Sequence, residues 1–259
     1  MSVAPSPEAV YEYAKEEGRR RLSMPLLEQV ATGFIAGVTI VFGIVALGVT
    51  KALVAPDLGE GVATVAGALA FGIGVVFLVV GRSELFSENF FDPVAAAIDE
   101  PRAGVWARLV RLWVSILTLN LVGGAILVGL LTVEGALPAG SAESLVHIAE
   151  DIASKTWLAT LVRAILAGAL ITLLSYMLSA CNTVAARILV AFAVGFFLAL
   201  GPFDHVIVSA LHLLFGIWDS NSVHWGDLWR NLGLSTAGNL GGGLFLITLT
   251  HSAQAKAGE

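Results

Sequence analysis

The chain has 259 residues, of which 57% are hydrophobic and only 13% are charged, and its formal net charge is −6. A soluble domain carries about 25% charged residues, so the composition indicates a polytopic membrane protein rather than a soluble enzyme or binding domain. The acidic balance, without a basic cluster, excludes a nucleic-acid partner. A single cysteine, Cys181, excludes an intramolecular disulfide and a cysteine-pair metal site, and we expect neither a metal nor a cofactor.

Residues 1–28 form a polar tail that we expect to lie in the cytoplasm. Within it, residues 6–21 predict a short polar helix, with Ser6 as the N-cap and Pro7 in the first turn. A solvated helix is the simplest interpretation, and a gating element is the alternative.

Six apolar segments follow, and each is long enough to supply the ~20 residues that a membrane-spanning helix needs. We place them at 29–54, 61–80, 107–132, 156–180, 187–217 and 230–250. The sequence therefore predicts an all-α integral membrane protein, with six transmembrane helices over residues 29–250 and a cytoplasmic tail at 251–259.

Segments two and five are each broken by polar residues. Residues 81–89 interrupt the chain after segment two, and Gly201-Pro202 interrupts segment five just before Asp204 and His205. The backbone breaks at membrane depth only where protein or a water-filled cavity surrounds it. Paired interruptions in two halves of a chain are the best sequence indication of a transport site.

An internal repeat relates the two halves. Residues 106–124 align with residues 225–243 at a shift of 119 positions, with seven identities in nineteen positions and no gap. The chain is therefore predicted to be a duplication, with halves at about 29–132 and 156–250. Because each half has three spans, the second copy runs the opposite way across the membrane, as an inverted repeat.

The distribution of lysine and arginine predicts the orientation. With six spans, both tails lie on the side that holds most of the basic residues, so both termini are expected in the cytoplasm. The loop from about 133 to 155 carries four acidic residues, which suits the outside.

The motifs at the breaks resemble those of the formate/nitrite transporter family. The family's Gly-Phe-x-His is present at 201–205, with the glycine one position earlier, and its Leu-Phe-Thr is present as Leu-Phe-Ser at 85–87. The third segment shows Trp-x6-Trp followed by Asn-Leu-Val-Gly at 120–123. The last segment, at 231–239, is similar to the family's Asn-Leu-Ile-Pro-Val-Thr-x-Gly-Asn, and the resemblance covers about 29–250.

This resemblance implies a homopentamer of aquaporin-like protomers in the inner (plasma) membrane of a prokaryote, each with its own pore for a small monovalent anion and none with enzymatic activity. His205 matches the family's central histidine, and Leu198 stands where the family has a second aromatic gate. The residues that match the constrictions are Phe71, Val75, Leu85, Phe86 and Leu198. Residues assigned to the pore lining or the break loop are Ser87, Glu88, Asn89, Ser209 and Lys155.

The chain departs from the family pattern at positions that bear on the substrate. Ser209 replaces an asparagine four residues after the histidine, Ala167-Gly168 replaces a cysteine-asparagine or alanine-asparagine pair, and Lys155 lies about one turn from the family's lysine. These departures leave the anion open among formate, nitrite, hydrosulfide and similar species.

Three polar residues lie at membrane depth, and one of them, His205, is the basis of the functional prediction. A charge at the membrane centre costs at least about 2.5–3.5 kcal/mol, and histidine is the side chain whose unperturbed pKa, about 6.5, allows it to lend a proton near neutrality. We therefore predict that His205 is a proton donor or polariser. Asn120 and Asn239 are interpreted as interhelical contacts, with pore lining as the alternative.

The predicted function is a channel or transporter for small monovalent weak-acid anions, either passive or coupled to protons through His205. Three alternatives are a neutral small-solute pore, a non-conducting membrane assembly protein and a membrane-embedded enzyme. The breaks lack Asn-Pro-Ala pairs, which argues against a water or glycerol pore. His205 with the adjacent Asp204 does not form a catalytic cluster, because neighbouring helix residues point apart.

Overall fold

The computed structural model describes residues 5–257, and this part of the chain is almost entirely helical. Its ten α-helices are α1 (Pro7–Leu22), α2 (Leu26–Val80), α3 (Asp92–Asp99), α4 (Val105–Leu131), α5 (Ser141–Ala153), α6 (Trp157–Ser179), α7 (Val184–Leu200), α8 (Val206–Asp219), α9 (Trp225–Gly241) and α10 (Leu249–Lys256). A 3-10 turn, Phe86–Phe90, precedes α3, and a π-helical stretch, Gly242–Thr248, joins α9 to α10.

Six membrane crossings are present, as predicted. The helices α2, α4 and α6 and the continuous rod Trp225–Lys256 are long and apolar enough to span a membrane. The helix α2 supplies two crossings, and the shorter α7, with the break and α8 after it, supplies the fifth.

The helix α2 is a hairpin rather than one rod. Gly59 has φ 78° and ψ 164°, a conformation that costs glycine little but strains other residues. The two arms then pack closely, since a Cβ on Gly74 would lie 2.7 Å from the Cα of Gly43. The predicted segments at 29–54 and 61–80 correspond to these two arms.

Each break returns the chain to the centre of the molecule. After Gly81 the backbone turns through Arg82, which has a φ of 54°, and then leads into the 3-10 turn and α3. After Leu200 the chain turns through 201–205 and leads into α8. Both returning segments end beside the middle of a neighbouring helix, where an asparagine holds them.

Asn120, in the middle of α4, holds the first break. Its Oδ1 accepts a hydrogen bond from the backbone N–H of Phe86 (2.9 Å). Its Nδ2 donates to the carbonyls of Gly33 (2.8 Å) and Glu84 (3.0 Å). One fully buried side chain therefore connects α4, the first arm of α2 and the break.

Asn239, in α9, holds the second break in the same way. Its Oδ1 accepts from the backbone N–H of Val206 (3.0 Å), and its Nδ2 donates to the carbonyls of Ala164 (2.8 Å) and Asp204 (3.1 Å). The three bonds match those of Asn120 one for one. The inverted repeat is thus present at the level of single hydrogen bonds.

The two asparagine sites need a glycine on the facing helix. A Cβ on Gly37 would overlap the carbonyl oxygen of Asn120, and a Cβ on Gly168 would overlap that of Asn239. Small residues that allow close backbone approach are typical of helix packing in membranes. Gly168, where the chain departs from the family pattern, therefore allows α6 to pack closely against α9.

The N-terminal helix α1 is packed against the rest of the chain, which corrects the expectation of a solvated helix. Ser6 caps it as predicted, accepting a hydrogen bond from the Ala9 N–H (3.3 Å). Ala14 is fully buried, and a Cβ on Gly18 would overlap the carbonyl oxygen of Asp92 at the start of α3. One face of α1 therefore lies directly against the first break.

The helix α5 occupies the segment that the sequence analysis describes as an outer loop. Leu145 and Ala149, four residues apart, are both fully buried. A Cβ on Gly48 would lie 2.6 Å from the Leu145 side chain, and one on Gly216 would lie 2.7 Å from Ala149. The helix packs its apolar face on α2 and α8, close to the second break.

Candidate functional site

Two cavities enter the molecule from opposite ends. The inner vestibule, defined as the cavity on the side of α1, has a volume of about 340 Å³. The outer vestibule, defined as the cavity beside α5 and the start of α6, has a volume of about 320 Å³. They share no lining residue, so a barrier separates them.

The two vestibules differ in their polar lining. The charged residues of the inner vestibule are Glu17, Arg20, Arg21, Arg82, Glu84, Glu88, Asp92 and Arg187. The polar residues of the outer vestibule are Lys51, Thr64, Asp151, Lys155, Arg163, Asp204, His205, Ser209 and His212.

The two breaks meet at His205 and Ser87. The Nε2 atom of His205 lies 2.5 Å from the Oγ of Ser87, 118 positions away in the chain, and both residues are at most 2% exposed. The Nδ1 atom of His205 accepts from the backbone N–H of Val208 (3.4 Å) at the start of α8. A neutral ring with Nδ1 as acceptor carries its proton on Nε2, so the ring donates towards Ser87.

The local backbone explains why the imidazole has this orientation. His205 is the N-cap of α8 and has an extended conformation, which directs its side chain back to the first turn. A second proton on Nδ1 would face the Val208 N–H, donor against donor. The resting ring is therefore neutral and lies at the floor of the outer vestibule, with its Nε2–H directed at Ser87.

The predicted constriction residues lie at or below this floor. Phe71 and Leu198 line the outer vestibule and are 1% and 6% exposed. Val75, Leu85 and Phe86 line neither cavity and are buried between them. This apolar layer is the barrier that a solute has to cross, and the assignment of these residues as constrictions stays a prediction.

The first break is braced by its own polar residues. Asn89 donates from Nδ2 to the carbonyl of Leu85 (3.0 Å) and to Oε2 of Glu84 (3.3 Å). Glu88 accepts at Oε2 from the Leu85 N–H (3.4 Å), while its Oε1 is buried without a hydrogen-bond partner among the described residues. Asn89 lines neither cavity, and Glu88 lines the inner vestibule.

Arginines from α1 neutralise the acids of the inner vestibule. Arg20 and Arg21 lie 3.1 and 3.3 Å from Oε1 of Glu84, and Arg21 lies 3.6 Å from Asp92. The cations that pair with Glu84 are therefore Arg20 and Arg21 of α1, and not Arg82, which is nearer in the sequence. The sequence analysis missed this link, because a separation of 64 positions leaves no periodic signal in the sequence.

Glu17 of α1 belongs to the same network. Burial alone would raise the pKa of its carboxyl, but a hydrogen bond from Arg20 and the charges of Arg21 and Arg20 outweigh it and lower the pKa to about 2. The cluster is therefore a set of compensated charges at the mouth of the inner vestibule.

The outer vestibule has an ion pair at the second break. Lys155 contacts Oδ1 of Asp204, whose side chain is 1% exposed. The backbone N–H of Asp204 donates to the carbonyl of Arg163 on α6 (3.2 Å). Lys155 lines the outer vestibule, and its assignment to the pore stays a prediction. The spacing of 49 residues does not reveal its carboxylate partner.

The remaining predicted residues are distributed as follows. Ser209 lines the outer vestibule, one turn along α8 from His205. Asn120 and Asn239 line neither cavity, in keeping with their contacts to three backbone segments. Within residues 5–257 no group of three His, Cys, Asp or Glu side chains is placed to hold a metal ion.

Comparison with known proteins identifies relatives over most of the chain. The family model for the formate/nitrite transporter matches residues 8–253. The chain is 25% identical to the inner membrane protein YfdC of Escherichia coli (strain K12), over 96% of this chain and 78% of that protein. It is 27% identical to a probable formate transporter of Methanothermobacter thermautotrophicus, over 88% of each chain.

Solved structures have the same fold. An FNT family ion channel superposes with a TM-score of 0.79, at 19% identity, over 95% of this chain and 98% of that one. A pentameric formate channel with formate bound superposes with a TM-score of 0.72, also at 19% identity, over 88% and 97%.

Proposed function

Since this chain belongs to the formate/nitrite transporter family, whose members are channels and transporters rather than enzymes, we propose that it moves small monovalent weak-acid anions between the two vestibules. The proposed substrates are formate, nitrite, hydrosulfide or a similar species. Transport is coupled to a proton that the anion receives at His205.

The observation that supports this proposal most strongly is the His205–Ser87 contact in the apolar layer. An anion that reaches the floor of the outer vestibule meets a buried neutral imidazole whose Nε2–H is hydrogen-bonded to Ser87, and it takes the place of Ser87 as the acceptor. When a proton from solution has charged the ring, the ring passes one proton to the anion and becomes neutral again. The neutral acid then crosses the apolar layer without the cost of moving a bare charge.

The helix α8 adds a favourable field at the same place. Its N-terminus lies at the barrier, with His205 as N-cap, and its 14 residues run away from it. The N-terminal end of a helix carries a partial positive charge that favours anions. An anion is therefore attracted to the floor of the outer vestibule before it is protonated.

The proposal includes a homopentamer in the inner (plasma) membrane of a prokaryote, with both termini in the cytoplasm. The pentameric formate channel of the same fold and the inner membrane location of the Escherichia coli relative support it. The two described chain ends also lie together, since Lys256 of α10 pairs with Asp99 of α3 (3.2 Å), which in turn pairs with Lys15 of α1 (2.7 Å).

The test is uptake by purified protein in liposomes, comparing formate, nitrite, hydrosulfide and glycerol at two external pH values. We expect faster anion uptake at the lower pH, and we expect His205→Asn to remove that pH dependence. His147→Asn is the matched control, because His147 is exposed on α5. Uptake of glycerol alone, or an unchanged pH profile in His205→Asn, would contradict the proposal.

A further inference from the structure

Three cations line the outer vestibule, and they differ in their partners. Lys155 is paired with the buried Asp204. Lys51 lies 3.5 Å from Glu60, a residue whose side chain is 72% exposed. Arg163 makes no ion pair with any carboxylate in the part of the chain that the structure describes. Its charge is therefore the least compensated in this cavity.

The position of Arg163 places it on the route to the barrier. Its carbonyl accepts the N–H of Asp204, so its backbone is level with the second break. Side chains on a helix tilt towards the helix N-terminus, and α6 begins beside Lys155, at the opening of the vestibule. Arg163 thus lines a cavity that ends at His205.

A second polar group in the same cavity lacks a partner. His212, two turns along α8 from His205, is 3% exposed, and its Nδ1 has no hydrogen-bond partner among the described residues. Buried polar groups are nearly always hydrogen-bonded. Because His212 also lines the outer vestibule, it adds a second polar side chain to the wall of the cavity that Arg163 lines.

The two carboxylates that line the outer vestibule, Asp151 and Asp204, do not pair with Arg163. Asp204 is engaged by Lys155 through Oδ1, and Asp151 is an exposed residue near the opening of the vestibule. The other titratable residues that line the cavity with His212 are Lys51, Asp151, Lys155, Arg163, Asp204 and His205. An anion that enters therefore meets positive charge that no carboxylate has already neutralised.

We propose that Arg163, with His212, forms an outer subsite that selects planar anions with two oxygens on one atom, such as carboxylates and nitrite. A guanidinium presents a rigid fork of donors that matches two coplanar oxygens, whereas a lysine offers only a point charge. The subsite holds the anion before it reaches His205 and favours it over a single-atom anion such as hydrosulfide. This inference rests on the proposed function, since it concerns the substrate of the same pore.

The experiment compares Arg163→Lys and Arg163→Gln with the wild-type protein in liposomes, using formate, nitrite and hydrosulfide. Arg163→Lys keeps the charge and loses the fork, so we expect formate and nitrite uptake to fall about tenfold, the equivalent of one charge-assisted hydrogen bond. Hydrosulfide uptake changes less than twofold. Arg163→Gln lowers the uptake of all three anions, and that of formate most.

Two controls separate these effects from damage to the fold. Arg230→Gln removes an arginine that does not line the vestibule and is half exposed, so it leaves the formate-to-hydrosulfide ratio unchanged. Gel filtration and thermal melting in detergent have to match the wild type. A wild-type ratio in Arg163→Gln, or in Arg163→Lys, would overturn the subsite.

A binding measurement distinguishes the failure of this inference from the failure of the proposed function. If the wild type transports no anion, the proposed function is wrong, but formate titrated calorimetrically into the detergent-solubilised protein still tests the subsite. Formate binding that Arg163→Gln abolishes supports the subsite. Absence of formate binding, or equal binding in both proteins, overturns it.

Discussion

The two breaks have the same backbone frame but different charges around them. In each, an acidic residue stands two positions before the residue that an asparagine caps: Glu84 before Phe86 and Asp204 before Val206. Each acid is nearly fully buried. The comparison shows that the duplicated unit includes a buried carboxylate at its centre as well as the helices around it.

The counter-charges come from equivalent places. Lys155, which pairs with Asp204, lies just before α6, the first helix of the second half. Arg20 and Arg21, which pair with Glu84, lie just before α2, the first helix of the first half. The inner side uses a network that also holds Asp92, whereas the outer side uses one pair and leaves Arg163 uncompensated.

The largest expected effect comes from breaking the inner network. Arg21→Met leaves the buried Asp92 without its cation and removes one of the two cations of Glu84, which keeps Arg20. Removal of one member of a buried ion pair costs about 3–5 kcal/mol. Thermal denaturation in detergent measures the loss. Arg19→Met is the control, because Arg19 is half exposed in a pair with Glu100 worth at most about 1 kcal/mol.

The matched change on the outer side is Lys155→Met, which removes the cation of Asp204 and leaves the inner network intact. We expect a loss of about 3 kcal/mol, recovered in part by adding Asp204→Asn. Equal losses for Arg19→Met and Arg21→Met, or no recovery in the double variant, would show that these pairs do not hold the breaks.

The asparagine contacts test the equivalence of the two halves more finely. Asn120→Ala and Asn239→Ala each leave a buried backbone N–H without its acceptor, which costs about 1–3 kcal/mol. Because their bonds correspond one for one, the two losses are expected to agree within about 1 kcal/mol. Asn231→Ala serves as the comparison and has a smaller effect, because the Asn231 side chain has one hydrogen bond within residues 5–257, from the Ser235 hydroxyl. A large difference between Asn120→Ala and Asn239→Ala would contradict the equivalence.

The smallest expected effect concerns the contribution of Glu17, in α1, to the stability of the protein, which depends on pH. The folded-state pKa of Glu17, about 2, lies below its ordinary value of 4.5. Its stabilisation is therefore present above pH 4.5 and is lost as the pH falls towards 2. With allowance for solvent screening, Glu17→Gln is expected to cost about 1 kcal/mol at pH 7. The difference in melting temperature between the wild type and Glu17→Gln is therefore expected to be smaller at pH 3 than at pH 7. Glu16→Gln, at an exposed position, is the control and is expected to melt with the wild type.

The sequence predicts most of the fold because hydropathy and the repeat are strong, local signals. The spans, the breaks and the inverted duplication follow from apolar length, from Gly201-Pro202 and from the alignment around Asn120 and Asn239. The contact between His205 and Ser87 is expected only in general terms, since two breaks at membrane depth have to meet somewhere.

Other features of the site could not be found in this way. The pairs Arg21–Glu84 and Lys155–Asp204 join residues whose separations carry no period, and only the folded chain brings them together. The helix α5 is short and amphipathic, so hydropathy alone describes it as a loop. Arg163 did carry a signal, as a lone arginine inside an apolar segment.

The arginines of α1 have a further consequence for the biosynthesis of the protein. Arg20 is translated 64 positions before Glu84, the acid that it meets in the folded chain. At about 5–20 residues per second, this interval lasts several seconds. During that time the acids available to Arg20 and Arg21 are the nearby Glu17 and Glu28. The two arginines lie beside the first span, where positive residues retain a segment on the cytoplasmic side. With the N-terminus in the cytoplasm, as proposed, the same two residues would first orient the nascent chain and later pair with Glu84, so their loss is expected to disturb insertion as well as the folded protein.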